Sequence, residues 1–173
     1  MSEFKCPPDE FTDPDLPLVF LAGHETGHDW QSGVSDMLLR SAYAMNVASP
    51  RRHPLQDTDV MARIEDARWS LRHMRVALAT GVLAVNLEPL ATKSEAIDEQ
   101  IRLFGIDRAL SGGGLYRGNG NNIVVRVAPN YRGHEDYIGY LAGEASAIVV
   151  QEEAEFIAQI LTRLPSPTRP ILS

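Results

Sequence analysis

Apolar residues along this chain fall into short uninterrupted runs, and most of these runs are separated by segments with helical spacing. Such runs are typical of strands buried on both faces, because a half-buried strand alternates apolar and polar residues. Parallel sheets bury their strands in this way, since crossover helices cover both faces. Strands are predicted at residues 16–22, 43–48, 81–87, 122–128 and 146–150.

Between the runs, apolar residues recur every three or four positions, which predicts helices. One helix is predicted over residues 60–78, and Thr92 with Glu95 forms a capping-box pattern that opens another, ending near Leu110. A last helix ends before Pro165. The stripe predicted to face the core in the first of these helices consists of Met61, Ile64, Ala67, Leu71, Met74 and Leu78.

Trp69 does not belong to that stripe. It lies about 180° from the stripe's centre, at 100° per residue. The pattern therefore predicts that Trp69 faces a ligand, a neighbouring subunit or water. A subunit contact is favoured, because aromatic residues are enriched in the cores of interfaces.

Strands that alternate with helices predict an α/β domain. We expect a doubly wound five-stranded parallel sheet, flavodoxin-like or Rossmann-like, as a three-layer sandwich over residues 16–164. Residues 1–15, which are acidic and carry three prolines, are expected to form an arm that wraps the surface or stays mobile, so that structure begins at Leu16. Residues 165–173 are expected to form a tail. Ligands of such folds bind beyond the carboxyl ends of the strands, so the loops after Ala22, Ala48, Leu87 and Ala128 are the places for a site.

Composition narrows the class of partner. The 173 residues predict one domain, and the formal net charge of −7 disfavours a nucleic-acid partner. The single cysteine, Cys6, suits a reducing cytoplasm. No run reaches the length of a membrane span, and the start of the chain lacks the pattern of a signal peptide. The sequence therefore predicts a cytoplasmic protein with no membrane partner.

The segment from His24 to His28 matches the HExxH pattern of zinc hydrolases. On a helix, this spacing places two imidazoles on one face beside a glutamate base. Here the motif directly follows a buried strand, and Gly23 and Gly27 both weaken a helix. A polar loop at the end of the strand is favoured, and no metal is expected; the zinc site stays an alternative.

Two glutamates continue the apolar face of the helix that follows the third predicted strand. Extending the stripe of Leu103, Ile106 and Leu110 backward leads to Glu99 and then to Glu95. Partial burial of such a pair would raise at least one pKa, which is how carboxylates are divided between acid, base and nucleophile. The alternative is a solvated first turn stabilised by the helix dipole.

Arg51 and Arg52 directly follow the second predicted strand, at the end where ligands bind. Their guanidinium groups could hold a carboxylate or a phosphate. The alternative is a pair of solvated arginines.

Taken in order, these segments resemble the nucleoside 2-deoxyribosyltransferase family over residues 16–164. The resemblance depends on the order and spacing of short motifs. The matching residues are VFLAG followed by Asp29-Trp30, the strand ending Ala48-Ser49-Pro50-Arg51-Arg52, the helix with Trp69 and His73, a Pro-Leu-Ala-Thr loop, the acid-bearing helix, and VVRVAPNY at residues 124–131.

The resemblance implies chemistry at an N-glycosidic bond. A helix glutamate attacks the anomeric carbon of a deoxynucleoside, the base departs, and a second base or water takes the sugar. By position, Glu99 is the implied nucleophile, with Glu95 as the alternative. The partners implied are a nucleoside or nucleotide and a free base, and no cofactor is implied.

The resemblance also implies which other residues bind the substrate. The early loop, with Gly23, His24, Asp29 and Trp30, would line the base or sugar pocket. Members of the family are usually homo-oligomers whose active sites borrow residues from a neighbour, which would suit Trp69 and the region of Asn130 and Tyr131.

The chain also departs from the family's pattern. The family usually carries an aspartate just before the third strand, where this chain reads Val76-Ala77-Leu78-Ala79-Thr80. Glu99 is followed by Gln100-Ile101 rather than by an aliphatic residue and glycine. A hydrolase, an altered substrate, or an inactive nucleoside-binding module therefore stay open as alternatives.

Overall fold

The computed structural model describes residues 1–23, 29–50, 60–88, 122–129, 131 and 147–165. These residues contain six strands and three helices. In chain order they are β1 (Phe4–Lys5), β2 (Leu18–Gly23), α1 (Trp30–Leu39), β3 (Asn46–Ala48), α2 (Val60–Thr80), β4 (Val82–Leu87), β5 (Ile123–Val127), β6 (Ile148–Val150) and α3 (Glu153–Arg163).

The strands form one parallel sheet in the order β1-β3-β2-β4-β5-β6. This confirms the predicted α/β fold with a parallel sheet, and all five predicted strands are present with ends shifted by up to three residues. From β3 onward the order is that of flavodoxin-like sheets. The direction of the connections reverses between β2 and β4, which neighbour each other in space but are separated by β3 in the chain.

Apolar residues cover both faces of the sheet, which is why the strands read as uninterrupted apolar runs. On one face, α2 packs over residues such as Phe20, Leu83 and Val125, and we call this the α2-side core. On the other face, α1 and α3 pack over Leu21 and Ala84, which we call the α1/α3-side core. The sheet therefore lies between two helical layers.

The sequence predicts ordered structure from Leu16 onward, and this is wrong. Phe4 and Lys5 form β1, which lengthens the sheet from five strands to six. The backbone N–H of Val47 donates to the Glu3 carbonyl at 2.8 Å, and that of Ser49 to the Lys5 carbonyl at 3.1 Å. A strand of two residues beside a pair of prolines carries too little pattern to be recognised, although it covers the edge of β3.

The predicted core-facing stripe of α2 is only partly right: Met74 is buried and Leu78 packs against the α2-side core, whereas the other four members are exposed. Met61 is 62% exposed, and Ile64 and Leu71 of the predicted stripe are exposed as well. Among the side chains of this helix that the structure describes, the buried ones are Trp69, His73, Met74 and Ala77. Apolar residues occur on both sides of this helix, so spacing alone does not identify the side that packs on the sheet.

Candidate functional site

The carboxyl ends of β2, β3, β4 and β5 lie at one edge of the sheet, because all strands are parallel. The reversal of connections between β2 and β4 makes this edge the place where a ligand of a doubly wound fold binds. The candidate functional site is therefore at the ends of these strands, as the sequence predicts. Among the described residues, Gly23 ends β2 and Glu88 directly follows β4.

Gly23 lies at the centre of this edge, at the end of β2. Its φ is +144°, a conformation that side chains rarely adopt. A Cβ atom on this residue would lie 2.1 Å from the Asn86 carbonyl oxygen and 3.1 Å from Cζ2 of Trp30. Two constraints, backbone conformation and contact with β4, thus require glycine here, so the predicted binding residue has a structural reason to be glycine.

Asp29 and Trp30 begin α1, just beyond this edge. The Asp29 carboxylate is the N-cap and accepts a hydrogen bond from the Ser32 N–H at 3.1 Å. Trp30 is buried in the α1/α3-side core. Both predicted substrate-binding residues therefore have structural roles: the first fixes the start of the helix, and the second places an indole ring beside Gly23.

A polar cluster lies in the same row of the sheet and was missed by the sequence analysis. Gly23 pairs with Asn86, and Asn86 pairs with Arg126, so a row crosses β2, β4 and β5. Val82 and Ala84 belong to the α1/α3-side core, and Asn86 follows at the same two-residue spacing. Side chains alternate along a strand, so Asn86 and Arg126 lie on that face.

Glu88 completes this cluster, which we call the Glu88 cluster: Asn86, Glu88 and Arg126. Arg126 Nη1 donates to Glu88 Oε1 at 2.6 Å and to Asn86 Oδ1 at 3.0 Å, and Arg126 Nε donates to the Gln151 carbonyl at 3.2 Å. Asn86 Nδ2 donates to Glu88 Oε1 at 3.0 Å. The signal in the sequence is a polar residue inside each of two apolar runs, GVLAVNL and NIVVRVA.

Trp69 and Tyr131 are both buried in the α2-side core. Trp69 is 5% exposed, and its Nε1 donates to the Asp9 carbonyl at 2.9 Å. The predicted subunit contact of Trp69 is therefore wrong, because the chain's own N-terminal segment covers this residue. The prediction pointed Trp69 outward because the buried side of α2 extends from Met74, a member of the predicted stripe, to Trp69, which is not.

His73 stacks on Trp69 with ring centroids 3.9 Å apart, and Phe11 meets His73 edge-on at 5.7 Å. The Nδ1 atom lies 2.8 Å from the Trp69 carbonyl oxygen and donates to it, while Nε2 lies 3.9 Å from a Glu10 carboxylate oxygen. Burial lowers the pKa of His73 below its ordinary value of 6.5. This group packs the N-terminal segment onto α2 and lies on the opposite face of the sheet from the Glu88 cluster.

The remaining predicted site residues lie outside the described residues: His24, Arg51, Arg52, Glu95, Glu99 and Asn130. The HExxH segment lies outside them too, and no group of three or more potential metal ligands occurs in the part of the chain that is described. Among the described helices, none is long and apolar enough to cross a membrane. The site as described thus consists of Gly23, the start of α1 and the Glu88 cluster.

No protein-family model and no curated protein matches this sequence. The class that fold and site define together is an α/β protein of flavodoxin-like strand order with polar residues at the carboxyl edge of its sheet. The resemblance to nucleoside 2-deoxyribosyltransferases stays a prediction from short motifs.

Proposed function

We propose that this protein transfers or hydrolyses the N-glycosidic bond of a deoxynucleoside or nucleotide, with Glu99 as the nucleophile and Glu95 as the alternative. The observation that supports the proposal most is the strand order, which reverses between β2 and β4. Apart from Trp69 and His73 on α2, the matching motifs lie in β2, β3 and β5 or in the segments that follow β2, β3, β4 and β5, whose carboxyl ends lie at this edge. As in the family, we propose a cytoplasmic homo-oligomer that needs no cofactor.

The proposed reaction has two steps. The Glu99 carboxylate attacks the anomeric carbon, the C–N bond breaks, and the departing base takes the bonding electrons and a proton from solvent. The resulting glycosyl ester is then attacked by a second base, which gives a new nucleoside, or by water, which gives the free sugar; the attacking base or water releases one proton to solvent. Either path restores the carboxylate.

The test is an exchange assay. The purified protein is incubated with each of the four common 2′-deoxynucleosides and a different free base, and the products are separated by chromatography. A new nucleoside shows transfer, and released base without a new nucleoside shows hydrolysis. Glu99→Gln should lower the rate by about a thousandfold, as expected for loss of a nucleophile.

Two variants serve as comparisons in the same assay. Glu95→Gln tests the alternative nucleophile, and the assignment moves to Glu95 if that change abolishes turnover while Glu99→Gln does not. Glu155→Gln removes an exposed carboxylate on α3 and should leave the rate unchanged. Absence of both products with every deoxynucleoside contradicts the enzymatic proposal.

A second candidate is a nucleoside-binding module of the same fold without turnover. It is favoured by Ala77, which is buried in the α2-side core within the stretch where the family usually carries its sugar-holding aspartate. A module of this kind would be stabilised by deoxynucleosides, because a ligand that binds only the folded state raises the melting temperature. Stabilisation that survives Glu99→Gln, with no turnover in either protein, would support this candidate.

A further inference from the structure

The Glu88 cluster interrupts an apolar surface at the carboxyl edge. Two residues before Asn86 and Arg126, the same face of β4 and β5 carries Ala84 and Val124, both in the α1/α3-side core. Placing an amide and an ion pair next to this core costs desolvation energy, which is offset only if the groups are well paired. A row of apolar side chains at these positions would avoid this desolvation energy. Packing alone therefore does not explain why polar residues occur here.

The two oxygens of the Glu88 carboxylate are used unequally. Oε1 accepts from both Arg126 Nη1 and Asn86 Nδ2, at 2.6 Å and 3.0 Å. Oε2 accepts no hydrogen bond from the residues that the structure describes, and the Glu88 side chain is 19% exposed. A carboxylate has about four lone-pair sites, so Oε2 can accept further donors.

Arg126 fixes which way this oxygen faces. Its guanidinium donates to three acceptors on two segments: Asn86 and Glu88 at the end of β4, and the Gln151 carbonyl after β6. A planar guanidinium can satisfy acceptors in several directions at once, whereas an ammonium group is a compact point charge on a flexible stem. The carboxylate is therefore held with one oxygen inside the cluster and the other left for a partner.

The charges of the cluster select the kind of partner. An anion would be repelled by Glu88 and would find only acceptor atoms at Oε2. A second cation would be repelled by the Arg126 guanidinium, which already neutralises the carboxylate at 2.6 Å. The partner that fits is a neutral group with a hydrogen to donate, an O–H or an N–H.

We propose that Glu88, held by Arg126 and Asn86, determines substrate specificity by accepting a hydrogen bond from a neutral O–H or N–H group of the nucleoside. This inference rests on the proposed function, because it takes the ligand at this edge to be a nucleoside. Arg126 is then a positioning residue that acts through Glu88. The donor is a sugar hydroxyl or an amino group of the base, and the experiment distinguishes them.

The experiment measures binding of four ligands by calorimetry, in the Glu99→Gln background so that no ligand is consumed. The ligands are 2′-deoxyadenosine and three analogues that lack its 3′-hydroxyl, its 5′-hydroxyl or its amino group. With Glu88 present, one deletion should weaken binding by about 10- to 100-fold, the effect of losing a hydrogen bond to a charged group. With Glu88→Gln added, the same deletion should cost less than about threefold.

Two further variants complete the comparison. Glu155→Gln removes a carboxylate from an exposed position on α3 and should keep the full discrimination. Arg126→Lys keeps the positive charge but not the planar fork, so it should reduce the discrimination even if Glu88→Gln fails to fold. Melting curves of each variant show which ones are folded.

The outcomes separate the inference from the proposed function. If all deletions cost the same with and without Glu88, or if Arg126→Lys keeps full discrimination, the inference is overturned while turnover in the exchange assay still stands. If discrimination depends on Glu88 but no deoxynucleoside is turned over, the inference holds and the protein is a binding module. If 2′-deoxyadenosine does not bind, the inference is overturned whatever the exchange assay shows.

Discussion

The backbone of Gly23 passes so close to Asn86 that a side chain has no room between them. This contact joins the ends of β2 and β4 at the point where the connections reverse. Gly23 therefore matters both for the fold and for the candidate site. The close contact between Gly23 and Asn86 packs β2 against β4, and it also places the Glu88 cluster next to the end of β2. The consequence can be measured at this one position.

Gly23→Ala should lower the free energy of unfolding by about 2 to 4 kcal/mol, from backbone strain and overpacking together. The control is Gly33→Ala, at an exposed helical glycine with no atom within 4 Å of the added Cβ. That change should raise stability by about 0.5 to 1 kcal/mol, because alanine favours a helix. Urea unfolding measures both. Equal effects at the two positions would contradict the account of Gly23.

His73 makes stability depend on pH. Its pKa in the folded protein is below 6.5, mainly because burial disfavours the charged ring, with Arg72 acting the same way and Glu10 and the Trp69 carbonyl opposing. Below pH 6.5 the unfolded chain therefore binds a proton that the folded chain resists. The stability that depends on a neutral His73 is fully present above about pH 6.5, and it is lost as the pH falls from there toward the folded-state pKa of His73.

The test compares wild type with His73→Asn by urea unfolding between pH 8 and pH 5.5. Asparagine keeps a nitrogen that can donate to the Trp69 carbonyl but has no charge to gain. The variant should be less stable at pH 8, since it loses the ring stacking, and its stability should change less between pH 6.5 and 5.5. An unchanged pH profile would show that another group causes the slope.

At the scale of elements, α2 is the helix whose packing differs most from its sequence pattern. Its buried side carries Trp69, His73 and Met74, and the N-terminal segment adds Phe11 to the same core. The apolar residues on its other side, among them Met61, stay exposed. The helix thus packs against both the sheet and the N-terminal segment. The spacing of apolar residues within the helix does not reveal this second contact.

Two methionines on α2 provide a matched test of this orientation. Met74 is 8% exposed and Met61 is 62% exposed, and both belong to the stripe that the sequence predicts to face the core. Met74→Ala should cost about 2 to 4 kcal/mol, as for loss of a buried side chain. Met61→Ala should change stability by less than about 0.5 kcal/mol. Similar losses at both positions would favour the predicted stripe over the observed one.

At the scale of the whole molecule, the layered architecture could be predicted and the order of its strands could not. Strands buried on both faces leave continuous apolar runs, so β2, β4 and β5 are visible in the sequence. Pairing between strands leaves no local signal, and β1 is too short to leave one. The order of the sheet therefore comes from the structure alone.

The candidate site divides in the same way. The edge at the carboxyl ends of the strands follows from the fold class, so the loop after β2 could be located from the sequence. Asn86 and Arg126 were missed because a single polar residue in an apolar run does not indicate its partner on the next strand. Glu88 can be assigned to the cluster only when the register of β4 and β5 is known, because that register places Arg126 beside Asn86.

The position of β1 affects the order in which the protein can assemble during synthesis. Phe4 and Lys5 leave the ribosome before their partners, Val47 and Ala48, which are made some forty residues later. At about 5 to 20 residues per second, the leading segment waits for seconds before it can pair. This edge strand is thus translated before the other described strands, and yet it cannot be the first of them to pair.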